Sequence, residues 1–185
     1  MLSSFNVLCR GQDAASEARY CRSTNVVSHA AGQIDLRMKI NEQEITTQDI
    51  LNHWGQGKTT LDWRPLTIKG KREWLKACLS WTGLPDDKIK SFEYILDGNQ
   101  VASDSDFYCL LGETFFGYRG YFGQDGHGLN DCFSEIFIKT KNKITVDKGA
   151  KIKIKNSEQV KDVLQDEFPY IIESFRDKGF EIELE

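Results

Sequence analysis

The segment KIKIK, residues 151–155, alternates charged and apolar side chains with a period of two. Successive side chains of a strand point to opposite faces, so this pattern predicts a half-buried strand with Ile152 and Ile154 toward a core and the lysines toward water. Such a strand commits the chain to a sheet that is covered on one side.

The flanking segments supply the cover. FEYIL (92–96) reads as a strand, DGN (97–99) as a turn, and SDSDFYCLLGETF (103–115) as a helix starting at Ser103 or Ser105. After KIKIK, SEQVKDVLQDEFPYIIESFRDKG (157–179) reads as two helices broken near Pro169 and stopped by Gly179, and FEIEL (180–184) as a closing strand. The expected result is an α/β layer, a short sheet with helices packed mainly on one side.

The first half of the chain is less regular. IDLRMKI (34–40) alternates as a strand. TTQDILNHW (46–54) predicts a short helix capped by Thr47 and closed by Gly55. LDWRPLTIK (61–69) predicts an edge or bulged strand, given Pro65, and KREWLKACLSWTG (71–83) a helix that gathers Trp74, Leu75, Cys78, Leu79 and Trp81 mostly on one face. LPDDKIK (84–90) is the best linker. It divides an N-terminal α+β region, residues 1–90, from a second domain, residues 91–185.

Composition narrows the function classes. The 185 residues are 39% hydrophobic and 28% charged, as in ordinary water-soluble globular chains. No apolar run approaches the roughly 18 residues of a membrane span, and the N-terminus lacks a secretory pattern, so a cytoplasmic location without membrane contact is expected. Five cysteines without CxxC spacing predict reduced, mostly buried thiols. Three histidines with no HxxxH or HExxH pairing argue against a catalytic zinc, and GQGKTT (55–60) lacks the first glycine of a phosphate loop. Neither metal nor cofactor is expected.

Charge is distributed unevenly. Residues 1–91 carry 13 Lys+Arg against 10 Asp+Glu, whereas residues 92–185 carry 11 against 18. From Glu93 to Glu135 there are eight acids and a single base, Arg119; from Lys139 to Lys155 there are seven lysines and a single acid, Asp147. Inside the acidic block lies GYFGQDGHGLNDCFSEIF (120–137), a glycine-rich loop running into a helix. Leu129, Cys132, Phe133 and Ile136 form its apolar stripe. His127 and Asp131, four apart, then share the outward face with Asn130 and Ser134 beside them and Glu135 a turn below. His127 and Cys132 point to different sides, which disfavours a Cys–His nucleophile. The glycines permit close approach to another surface, and Tyr121 and Phe122 are expected to be presented where loop meets helix.

The order of elements from Phe92 to Glu185, together with YFGQDGHGLNDC, resembles the barstar family of ribonuclease inhibitors. FEYILDGNQVASDSDFYCLL is similar to that family's opening strand, turn and first helix, KIKIKN to its middle strand, and PYIIESFRDKGFEIEL to its last helix and strand. The resemblance implies a small, mainly parallel three-stranded sheet with helices packed on it. It implies a cytosolic immunity protein, not an enzyme, that plugs the cationic active site of a cognate ribonuclease toxin.

In that reading Asp131 takes the place of the substrate phosphate, and Tyr121, Phe122 and Gly123 match the family's loop. Asp125, His127, Asn130 and Glu135 complete the partner-binding set, with Asp166 or Glu167 as a further acid. His127 replaces an acid of the family motif and Asn130 an aromatic, so the target would be one adapted to His127. A helix N-terminus also stabilises a nearby acid without any partner, which leaves a structural role open for Asp131. Residues 1–90 fall outside the resemblance and could form an added layer, a recognition domain or a dimer surface. Two other functions compete: a nucleic-acid-binding module using Lys139–Lys155, and a small-substrate enzyme using Asp125, His127 and Asp131 as acid–base groups.

Overall fold

The computed structural model describes residues 44–90, 92–141 and 145–185. All belong to one compact unit, Asp35–Glu185. KIKIK is its centre. Strand β2 (Lys151–Lys155) lies between β1 (Glu93–Asp97) and β3 (Glu181–Leu184), parallel to both. Ile152 and Ile154 are 0% and 1% exposed, as the alternation requires. Ile152 stands between Tyr94 and Ile182 on one register line, and Ile154 between Leu96 and Leu184 on the next.

The opposite face of the sheet carries charge. Lys151 stands between Glu93 and Glu181, and Lys153 between Ile95 and Glu183. Lys151 pairs with Glu183 and, at 3.7 Å, with Glu93; Lys153 pairs with Glu183 at 3.1 Å and Glu185 at 2.5 Å. Parallel sheets are usually covered on both faces. Here, on a face that no described residue covers, lysines and glutamates alternate in a lattice compatible with water.

Both parallel connections cross over through helices. From β1 the chain passes through a 3-10 turn (Gly98–Gln100), α3 (Asp104–Phe116) and α4 (Gly126–Lys139) to β2. From β2 it passes through α5 (Ser157–Leu164) and α6 (Glu167–Asp177) to β3. Ser103 caps α3, its hydroxyl accepting from the Asp106 amide, and Gly83 and Gly179 follow helix ends with positive φ. An aromatic core joins the layers: Phe115, Phe122, Phe133, Phe175 and Phe180 lie within 4.9 to 6.4 Å of one another as ring pairs.

Ahead of the sheet come α1 (Thr47–Gly55) and α2 (Ile68–Thr82). The N-cap of α1 is Thr46, which forms a capping box with Asp49. Thr47, the expected cap, instead bonds Glu73 of α2 through its amide (3.1 Å) and hydroxyl (2.5 Å). LDWRPLTIK is not a strand: Leu66 donates back to the Trp63 carbonyl at 3.0 Å, and Thr67 caps α2. Pro65, whose fixed φ suits a turn and whose missing N–H weakens a ladder, explains the difference. IDLRMKI lies outside the described residues.

The helical break near Pro169 falls earlier. Gln165, at φ 47°, ends α5, while Pro169 sits in the first turn of α6, where no intrahelical N–H bond is lost. The compact unit also runs through the expected boundary at residues 90 and 91. Helix α2 packs on α3, where Lys71 and Asp106 make an ion pair at 2.5 Å with side chains 11% and 4% exposed. Within LPDDKIK itself, Ile89 bridges to Val146, its amide donating to Thr145 and its carbonyl accepting from Asp147.

Candidate functional site

The loop entering α4 begins with a turn in which the Gly120 amide donates to the Gly117 carbonyl at 2.8 Å. Gly120 then passes so close to α3 that an added Cβ would lie 2.3 Å from the Gly112 carbonyl oxygen. The loop is therefore pressed onto its own helix rather than held out toward a partner. Its next residues turn inward. Phe122 is 0% exposed, with ring centroids 4.9 Å from Phe115 and 5.1 Å from Phe116 and Phe133.

Tyr121 and Gly123 are buried as well. Burial, reinforced by Cys132 and by the charges of Asp125 and Asp131, pushes the Tyr121 hydroxyl up to about 12. The expectation that Tyr121, Phe122 and Gly123 meet a partner is thus corrected. Aromatic side chains bury a large apolar area, and here the Phe122 ring does so against Phe115, Phe116 and Phe133 in the core.

Helix α4 keeps its apolar stripe inside. Leu129, Cys132, Phe133 and Ile136 are all 0% exposed. Burial, with Asp131 nearby, pushes the Cys132 thiol up to about 12, so it stays a protonated core side chain. Cys78 and Cys109 are likewise free and buried, while Cys9 and Cys21 lie outside the described residues.

The N-terminus of α4 is capped twice. The Asp125 carboxylate accepts from the Gly128 amide at 2.7 Å, and Glu167, reaching across from α6, accepts from the Gly126 amide at 2.6 Å and the Tyr108 hydroxyl at 3.0 Å. A Cβ at Gly126 would come within 2.8 Å of the Tyr170 ring, which explains the glycine there. The dipole-stabilising acids are therefore Asp125 and Glu167. Asp131 is a full turn beyond the first, where the helix N-terminus acts weakly.

What remains outside is compact and acidic. Asp125, His127 and Asp131 are exposed, and Asp166 stands exposed ahead of α6. Asn130 is half-buried and tied to α6, its amide donating to the Tyr170 hydroxyl at 2.5 Å and the Gly126 carbonyl at 3.3 Å. Glu135, also half-buried, pairs with Lys139 at 3.5 Å. Tyr170, 42% exposed, lies 6.3 Å from His127 by ring centroid. It was missed in the sequence, although it falls off the Phe168, Ile171, Ile172 and Phe175 stripe as an aromatic on a polar face.

The rest of the chemistry can be placed against this face. Among the described residues, no three His, Cys, Asp or Glu side chains gather as metal ligands, and no helix is long and apolar enough to cross a membrane. The lysines expected to touch nucleic acid are partly committed: Lys139 is paired on α4, and Lys151 and Lys153 sit in the charge lattice of the sheet. Comparison with protein-family models, curated proteins and solved structures returns no match for this chain.

Proposed function

We propose that the chain is a barstar-like inhibitor that occludes the cationic active site of a ribonuclease toxin with the acidic face of α4 and the start of α6, and performs no chemistry itself. The observation that carries the reading is the exposure of Asp125, His127 and Asp131 on a helix end anchored by Glu167 from a second helix. A helix tied at its N-terminus presents its charges with little freedom to lose on binding, and preorganisation of that kind raises affinity.

The parallel three-stranded sheet with helical crossovers is also what the resemblance implied. A ribonuclease must hold phosphate among cationic side chains, so an acidic face gains faster encounter and charge pairing with it. Asp131 is the central acid in this reading, exposed and without an ion-pair partner among the described residues. Tyr170, together with His127, provides the exposed ring surface that the buried Tyr121 and Phe122 do not, and His127 distinguishes the target. The face lacks lysine and arginine from Gly120 to Ile138.

The test is co-expression of the tagged protein with the products of its neighbouring genes, followed by capture and an RNA-degradation assay. Capture of a basic ribonuclease and protection of RNA are expected. Asp131→Lys should abolish both while leaving the circular dichroism spectrum unchanged. Protection that survives this charge reversal in a folded protein overturns the site.

A further inference from the structure

On the other side of the Gly117–Gly120 turn, a cavity of about 230 Å³ opens between the segment at residues 59–64 and the end of α3. Its buried walls are Trp63 and Trp74, each 2% exposed, with Leu61 and Cys109. Four charged residues are among those that line it, and they are not paired one to one. Arg64 serves two carboxylates, Asp62 at 3.0 Å and Glu113 at 2.9 Å, and Glu113 also accepts from the Trp63 indole at 3.0 Å. That group carries one surplus negative charge.

Arg119 is the fourth. Its guanidinium lies 4.9 Å from the Trp54 ring, 5.1 Å from Trp81 and 4.9 Å from Tyr118, and donates to the Lys58 carbonyl at 3.2 Å. No carboxylate pairs with it among the described residues, and its Nε is buried without an acceptor. Aromatic faces hold a cation in place but leave its charge uncompensated. The residue is also held at φ 68°, a left-handed conformation that a non-glycine residue occupies only when its surroundings enforce it, and such residues concentrate at ligand sites. Burial and the charges of Lys58 and Arg119 together lower the pKa of neighbouring His53, in keeping with a positive potential at this end.

We infer that the cavity binds a small zwitterion of the α-amino-acid type with an apolar side chain, its carboxylate on Arg119, its ammonium on the Asp62 and Glu113 side, and its side chain against the tryptophans. The lining is neutral in sum but separated into a cation without a carboxylate partner among the described residues and a surplus anion, which matches a ligand with both charges and no net charge. The site lies apart from the proposed inhibitory face, and either can fail without the other.

All four tryptophans line the cavity or touch Arg119 and its ring cluster, so intrinsic fluorescence reports occupancy directly. The full chain is titrated with L-leucine, 4-methylpentanoate, which lacks only the ammonium, and isoamylamine, which lacks only the carboxylate. Leucine should give a saturable change, and each truncated probe should bind at least about tenfold more weakly, the effect of losing one charge-assisted contact. Arg119→Asn, which tolerates the left-handed backbone, should lose leucine binding while keeping its far-ultraviolet circular dichroism and a cooperative urea transition. Equal responses to the three probes, no saturable response, or wild-type affinity in folded Arg119→Asn overturns the assignment. Should that variant not fold, Glu113→Gln decides: weaker leucine binding with 4-methylpentanoate undiminished supports the site, and unchanged leucine binding overturns it.

Discussion

Phe122 and Asp131 are nine positions apart on one segment and have opposite surroundings. Phe122 lies in the aromatic core at 0% exposure, and Phe122→Ala should cost about 3–5 kcal/mol, because the surrounding rings cannot close the space. A lowered urea midpoint with an unchanged slope checks it. Asp131 is exposed, so substitution there should change stability by less than about 0.5 kcal/mol and be read only in partner binding. The helical period separated the two sides of α4 correctly in the sequence. The inward turn of Tyr121 and Phe122 was not legible there, because it follows from the contact between Gly120 and Gly112, eight residues apart in the chain.

Elements were legible where local chemistry decides them. KIKIK, the Ser103 cap and the glycines after α2 and α6 act within a few residues, and the structure has them where the pattern predicts. LDWRPLTIK misled because its apolar residues are set by partners outside the segment: Leu61 accepts from the Tyr118 hydroxyl, and Trp63 donates to Glu113. The pairing of α2 with α3 belongs to this scale as well. Asp106→Ala would leave Lys71 charged and nearly buried without its partner, at a cost of about 3–5 kcal/mol. The double replacement Lys71→Met with Asp106→Leu should recover part of that loss, the remainder reflecting the Ala102 amide and Ser103 hydroxyl that also donate to Asp106. Equilibrium denaturation of both variants makes the comparison, and a double variant no more stable than Asp106→Ala would overturn the uncompensated Lys71 charge as the source of the loss.

Across the molecule, stability should depend on acid through two carboxylates in different places. Glu73, bonded first by Lys76 and then by Thr47, and Glu183, held by Lys151 and Lys153, are both lowered from 4.5 to about 2. A lowered folded-state pKa stabilises the protein above the unfolded value, and that contribution is lost as pH falls through the folded one. The melting temperature should therefore fall between pH 4.5 and about 2, and a Glu73→Gln, Glu183→Gln double variant should show a shallower fall. An identical slope in the variant would assign the acid sensitivity elsewhere. The amino-acid sequence by itself determined the central strand, the helices around it and the outward face of α4, since periodicity and capping are local. Only the tertiary structure decided that residues on both sides of position 90 share one unit, that Glu167 holds the start of α4, and that the loop aromatics belong to the core. Each of those depends on contacts between segments distant in the chain, and burial rewards whichever surfaces the fold brings together.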